Sequence, residues 1–178
     1  MADELIDIYD ENNKSLGVSK MKSEAHRNGL WHRAAHIWIY NSNKEILLQL
    51  RTKNKELYPD MWDISAAGHV SAGEEPAISA LREMEEEIGL SVKPEELEFS
   101  EIRKVSAIYK EINNNEFCYV YFLKFDGEIN GLSLQKTEVA EIKFVPINKI
   151  KEELKLYPDK YVPHGDYWPD VIKKIETS

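Results

Sequence analysis

The segment from Gly68 to Leu90, GHVSAGEEPAISALREMEEEIGL, constrains this chain more than any other stretch of it. Glu83, Glu86 and Glu87 are three and four residues apart, so a helix would place their carboxylates on one face. Like charges at that spacing destabilise an isolated helix. A hard cation such as Mg²⁺ or Mn²⁺, which prefers carboxylate oxygen, would turn the repulsion into ligation. The segment therefore predicts a helix with a metal-binding carboxylate cluster.

The boundaries and the buried face of this helix can also be predicted. Apolar residues recur at spacings of three and four and predict a buried stripe made of Ala77, Ala80, Leu81, Met84 and Ile88. Residues 74–76 (Glu-Glu-Pro) suit a first turn, and Gly89 suits a helix stop. An acidic run alone would indicate a solvated helix face. The spaced glycines Gly68 and Gly73, with Arg82, favour a functional loop and helix instead.

The skeleton of this segment resembles the Nudix box, GX5EX7REUXEEXGU with U a bulky aliphatic residue, and matches it at every fixed position. The resemblance implies an enzyme that uses Mg²⁺ or Mn²⁺ to hydrolyse a small-molecule diphosphate. It implies that the metal ligands and catalytic residues are Glu83, Glu86 and Glu87. It assigns structural roles in the box, residues 68–90, to Gly68, Glu74, Arg82 and Gly89.

The general base of such a hydrolase must contact the attacking water. Glu83 is one candidate within the box. Many Nudix enzymes carry a catalytic glutamate on a loop outside the box, and Glu138 and Glu141 are the candidates of that kind. The sequence leaves the choice among these three open.

The chain outside the box resembles the Nudix subgroup related to type I isopentenyl-diphosphate isomerase, over roughly residues 5–150. Those isomerases hold a metal with three histidines and two glutamates. The matching positions here are His26, His32, His69 and Glu116, while Asn114 stands at the other glutamate position. Arg51 and Lys55 match the cations that hold the substrate diphosphate, and Arg33 and Trp62 are further candidates for substrate binding.

One departure from the isomerase pattern changes the expected reaction. The isomerases carry a catalytic cysteine just before the Gly-His of the box, and Ala67 stands there in this chain. A methyl group cannot transfer a proton. We therefore expect hydrolysis of a nucleoside diphosphate linked to another moiety, or of another organic diphosphate. Two alternatives stay open: isopentenyl-diphosphate isomerase activity with a different acid, and a non-catalytic nucleotide-binding module.

Length and pattern predict one Nudix domain over residues 1–178, with an N-terminal hairpin extension over about residues 1–30. Strands are predicted at 5–9, 33–40, 45–51, 97–108, 116–125 and 141–145. Helices are predicted at 22–28, in the box, at 146–154 and within 163–175. This mixture is typical of an α/β fold. The family resemblance narrows it to an α/β/α sandwich with a mixed β-sheet, preceded by the N-terminal β-hairpin.

Composition limits the partners and the compartment. The net charge of −9 argues against nucleic-acid binding. No apolar run approaches membrane-spanning length, and the first ten residues lack a signal-peptide core. The single cysteine, Cys118, excludes an internal disulfide and fits a cytoplasmic location. Many members of the family dimerise, so a homodimer is a further hypothesis.

Several aromatic and polar residues receive simple structural interpretations. We expect His36 to pack within its strand, Cys118 to be a buried small hydrophobe on the same strand face as Glu116, and Trp38 to lie in the core. A pocket-capping role for Trp168 follows only from the isomerase resemblance. His164, in a Pro-His-Gly turn, receives no role.

Overall fold

The computed structural model describes residues 3–178, so Met1 and Ala2 of the predicted hairpin extension lie outside the described residues. The strands within the described range are β1 (Leu5–Tyr9), β2 (Ser15–Met21), β3 (Trp31–Tyr40), β4 (Glu45–Arg51), β5 (Trp62–Asp63), β6 (Ala66–His69), β7 (Glu98–Tyr109), β8 (Ile112–Lys124) and β9 (Val139–Pro146). The α-helices are α1 (Lys22–Asn28), α2 (Pro76–Ile88), α3 (Ile147–Leu156) and α4 (Tyr167–Thr177).

The strands form one mixed sheet with β3 at its centre. Strand β3 pairs antiparallel with β1, β4 and β6, and parallel with β8 over its whole length. Strand β7 extends the sheet beyond β8, while β5 and β9 pair with β4. The parallel register sets His32 opposite Glu116 and Ala34 opposite Cys118. The central pairing therefore joins two segments that are far apart in the chain.

Helices cover both faces of this sheet, so the predicted α/β/α sandwich is confirmed. On one face, α2 packs Met84 and Ile88 against a cluster that includes Ile37 and Leu47. On the other face, α3 and α4 enclose the larger aromatic core. Adjacent residues of a strand point to opposite faces. Even-numbered residues of β3, such as Trp38, therefore face α4, and odd-numbered ones face α2.

The aromatic core includes Trp38 and Trp168. Trp38 is fully buried, as predicted. Trp168 is 3% exposed, its ring lies 5.2 Å from that of Trp38, and its indole N–H donates to the carbonyl of Val162. Trp168 therefore stabilises the helical layer from within the core, and the pocket-capping interpretation is wrong.

The predicted N-terminal hairpin is present as the antiparallel pair β1 and β2. Helix α1 follows it and ends at Gly29, whose φ of 61° is the left-handed conformation that favours glycine. The short strands β5 and β6 were not predicted, because two and four residues are too few to show an alternating pattern. The single-domain boundary of 1–178 stays a prediction. None of the helices in residues 3–178 is long and apolar enough to cross a membrane.

Candidate active site

Arg82 gathers the carboxylates of the box at the loop that precedes α2. Its guanidinium lies 3.0 Å from Glu74, 2.7 Å from Glu83 and 3.4 Å from Glu86, measured between nitrogen and carboxylate oxygen. It also donates to the carbonyl of His69 at 3.2 Å. These carboxylates raise the pKa of Arg82 despite its partial burial, which keeps the guanidinium charged. One cation thus fixes the loop to the helix and limits the movement of Glu83.

Gly68 provides the space in which Glu83 lies. A Cβ atom added to Gly68 would collide with the carboxylate of Glu83. Gly89 ends α2 with a φ of 69°, as predicted. Helix α2 begins at Pro76, so residues 74 and 75 precede it and do not form its first turn.

Glu87 lies on the buried side of α2, which corrects the predicted arrangement of the helix faces. The residue is 4% exposed, next to Met84 and Ile88 in the buried layer, whereas Glu86 is half exposed. Its Oε2 accepts hydrogen bonds from the side chain of Gln49 at 3.2 Å and from the backbone N–H of Ala67 at 3.1 Å. A polar helix position can face the core here because β4 and β6 supply donors to it.

Burial makes Glu87 a weak acid in the metal-free protein. Burial and then the nearby charge of Glu83 raise the pKa of Glu87 to about 8. The neutral acid therefore predominates near neutral pH, and a cation that binds this carboxylate must displace its proton.

This raised pKa predicts how the metal-free stability depends on pH. The folded protein holds the Glu87 proton more tightly than the unfolded chain, so this stabilisation is present in acid and is lost as pH rises through about 8. We expect Glu87→Gln, which cannot titrate, to gain stability relative to wild type by on the order of 1–3 kcal/mol between about pH 5 and about pH 8. Urea denaturation of EDTA-treated proteins across this range measures the difference. If the free energies of unfolding of the two proteins changed in parallel with pH, Glu87 would not have the raised pKa.

Three imidazoles and one carboxylate converge on the opposite side of β6. His26 comes from α1, His32 from β3, His69 from β6 and Glu116 from β8, and their ligand atoms lie within 4.8 Å of one another. Oε1 of Glu116 is 3.5 Å from Nε2 of His32 and 3.4 Å from Nε2 of His69. Burial and the neighbouring imidazoles lower the pKa of His26 to about 4. Its ring is therefore neutral near neutral pH.

The donor set of this group, which we call the trihistidine cluster, fits a metal ion. Nε2 of all three histidines is buried without a hydrogen-bond partner among residues 3–178. Nδ1 of His32 lies 2.9 Å from the carbonyl of Leu30, which holds the proton on Nδ1 and directs the Nε2 lone pair into the cluster. Two ligands of one tetrahedral zinc ion lie roughly 3.4 Å apart, close to the separations from Glu116. The buried amide oxygen of Asn114 also lacks a partner in the described chain.

The two cations predicted to bind a diphosphate are paired with acids of the chain itself. Arg51 lies 2.9 Å from the carboxylate of Asp63 and donates to the carbonyl of Leu57. Lys55 forms an ion pair with Glu138. Both pairs are largely shielded from water. An anionic substrate must therefore compete with these acids for the two side chains.

The loop that carries Glu138 is attached to the end of the box helix. The backbone N–H of Gln135 donates to the carbonyl of Glu87, and the N–H of Glu138 donates to the carbonyl of Gln135. The charge of Lys55, the partner of Glu138, acts on the pKa of Glu87. Glu141 is exposed on β9 opposite Leu50, on the sheet face away from Gln49. The structure thus brings Glu138, and not Glu141, towards the box.

Arg33 and Trp62 lie in other environments. Arg33 donates to the side chain of Asn13 at 2.8 Å, and its guanidinium lies 3.9 Å from the centroid of the Tyr9 ring. It therefore links β3 to the N-terminal hairpin. Trp62 packs against the aromatic core, with the ammonium of Lys143 3.7 Å from its ring centroid.

Asp63, which is buried, and His164, which is partly buried, form a pair that the sequence did not indicate. Nε2 of His164 lies 2.6 Å from Oδ1 of Asp63, and Arg51 contacts the other oxygen of the same carboxylate. Burial alone would raise the pKa of Asp63, but His164 and Arg51 hold it well below its usual range. The partners come from separate parts of the chain, and no local pattern links them.

Comparisons with known proteins agree with this geometry. A family model described as the NUDIX domain matches residues 30–164. The chain belongs to the Nudix hydrolase family. It is 38% identical to Nudix hydrolase 3 of Arabidopsis thaliana over 98% of the chain, but spans only 24% of the length of that relative.

Two further comparisons concern the subgroup and the fold. An isopentenyl-diphosphate Delta-isomerase of Serratia proteamaculans is 29% identical over 89% of this chain and 86% of its own length. The crystal structure of DR0079 from Deinococcus radiodurans superposes with a TM-score of 0.72, covers 97% of this chain and 99% of its own, and is 18% identical. The first supports the predicted isomerase-like resemblance, and the second supports the fold.

Proposed function

We propose that this Nudix protein hydrolyses an organic diphosphate, such as a nucleoside diphosphate linked to another moiety, with Mg²⁺ or Mn²⁺ as cofactor. The observation that carries the proposal is the complete set of box carboxylates around Arg82, with Glu87 buried against β6. Glu83, Glu86 and Glu87 would hold the cations. When bound, these cations polarise phosphoryl oxygens and lower the pKa of the attacking water.

The residues of the chain supply positioning and proton transfer. Glu138 is the favoured general base, because its loop is attached to the box helix at Glu87. The diphosphate would draw Lys55 away from Glu138 and so leave that carboxylate free to accept the proton of the water. Arg51 would bind the diphosphate in the same way, in competition with Asp63. Arg51 and Lys55 are each neutralised by an acid of the chain. The affinity for the diphosphate would therefore depend on the bound metal ions.

Isomerase activity is the second candidate, and the intact trihistidine cluster is the observation that favours it. Ala67 argues against it. This residue pairs with His36 on the sheet face of the cluster, and it offers only a methyl group where the isomerases carry a thiol. A non-catalytic nucleotide-binding module is the third candidate, and the intact box argues against it.

The cytoplasm is the compartment that fits a single buried thiol. The homodimer stays a prediction.

A panel of diphosphates separates these functions. We expect metal-dependent release of a monophosphate from one class of compound, tested with Mg²⁺ and with Mn²⁺ on nucleotide-sugar, dinucleotide, coenzyme A and isoprenoid diphosphates. Isopentenyl diphosphate is also followed for its isomerised product. Isomerisation without hydrolysis would overturn the proposal. Binding of metal and nucleotide without any turnover would instead favour the binding module.

A further inference from the structure

A second group of donor atoms shares Glu116 with the trihistidine cluster. Oε1 of Glu116 faces His32 and His69, while Oε2 lies 3.8 Å from Sγ of Cys118. His36 completes this group, and the ligand atoms of His36, Glu116 and Cys118 all lie within 4.8 Å of one another. The carboxylate of Glu116 therefore has a separate set of donors at each oxygen.

The sheet register explains why the two groups are adjacent. Residues two apart on a strand share a face, so Cys118 follows Glu116 along the face of β8 that lies on the α4 side of the sheet. The parallel register places Ala34 opposite Cys118, and β6 places Ala67 opposite His36. The methyl groups of Ala34 and Ala67 thus flank the group formed by His36, Glu116 and Cys118. Nδ1 of His36 lies 3.3 Å from the hydroxyl of Tyr167, which orients the ring as outer contacts of metal-bound histidines do.

We propose that His36, Glu116 and Cys118 form a second metal position, in which Glu116 bridges two divalent ions. Thiolate and imidazole donors select a borderline ion such as Zn²⁺ over Mg²⁺. Sulfur and oxygen ligands of one tetrahedral zinc ion lie roughly 3.5 Å apart, near the 3.8 Å between Cys118 and Glu116. The Cys118 thiol would release its proton to solvent when its sulfur binds the ion, because the thiolate is the ligand form.

The second ion would add positive charge where the protein has little of its own. Arg51 and Lys55 are each paired with a carboxylate, and the chain carries a net charge of −9. Two ions bridged by one carboxylate can hold two oxygens of a phosphoryl group. The metal position itself does not depend on the proposed hydrolysis, because it follows from the donor atoms.

Cobalt substitution tests the site directly. The EDTA-treated 178-residue chain is titrated with Co²⁺ in excess Mg²⁺, which occupies the all-oxygen box site. A thiolate–cobalt charge-transfer band in the near ultraviolet can only come from Cys118, the single cysteine of the chain. We expect this band, two bound equivalents, and displacement of both by Zn²⁺.

Two variants separate the positions. Cys118→Ser should lose the band and one equivalent while it keeps the visible absorption of cobalt in the trihistidine cluster. His26→Gln, which alters only that cluster, should keep the band and lose the other equivalent. Wild-type protein that binds one equivalent without the band would overturn the second position alone. Binding of no Co²⁺ would overturn both positions, whereas hydrolysis supported by the box carboxylates would be unaffected.

Discussion

Glu87→Gln is expected to lower kcat by at least about 10²-fold at saturating metal, because it removes a buried metal ligand of the box. The fold should survive, since the glutamine oxygen can accept the same hydrogen bond from the backbone of Ala67. The measurement is kcat as a function of Mg²⁺ or Mn²⁺ concentration, on the diphosphate identified by the panel.

Glu85→Gln is the matched control for this variant. Glu85 is exposed on the same helix, and its replacement removes the same charge without changing the site. We expect its kcat to stay within about twofold of wild type, as is typical of exposed positions away from a site. A nearly normal rate for Glu87→Gln, with unchanged metal dependence, would exclude Glu87 as a ligand.

Asp63→Ala is expected to destabilise the protein by about 3–5 kcal/mol near neutral pH, because it leaves Arg51 and His164 without their shared buried carboxylate. The pKa of Asp63 is lowered in the folded state, so this stabilisation is complete above the ordinary aspartate range and is lost progressively as pH falls from that range to the lowered pKa. Urea denaturation at about pH 7 and below about pH 4 should show a large difference from wild type that shrinks in acid.

The control for this variant is Glu56→Ala, which removes an exposed carboxylate from the neighbouring loop. We expect it to change stability by less than about 0.5 kcal/mol. A loss below about 1 kcal/mol for Asp63→Ala would mean that the ion pair contributes no more than an exposed one.

The sequence predicts the parts of the molecule whose signal is local. Helix α2 follows from apolar spacing and Gly89, and the hairpin of β3 and β4 follows from two apolar runs around a polar turn. Ala67 and the trihistidine cluster were found through the family resemblance, since histidines so far apart in the chain carry no spacing pattern. Helical spacing alone indicated Glu83, Glu86 and Glu87, and the resemblance then gave Gly68, Glu74 and Arg82 their structural roles.

Interactions between distant segments could not be predicted. A helical projection treats Glu87 as polar and therefore exposed, although Gln49 and the backbone of Ala67 make its burial possible. The pairing of Asp63 with His164 depends on how the C-terminal segment meets β5. Composition counts charges but does not show which acid neutralises Arg51.

The parallel pairing of β3 with β8 has a consequence for the order of folding events. His32 and Glu116 meet only when these strands, which lie about half a chain length apart in sequence, come into register. Pairing over so long a loop is slow and is achieved late on a folding pathway. A metal that binds only the finished pairing would slow the unfolding rate and leave the refolding rate almost unchanged. A metal ion held in the trihistidine cluster would thus retard the unfolding of the native sheet without hastening its formation.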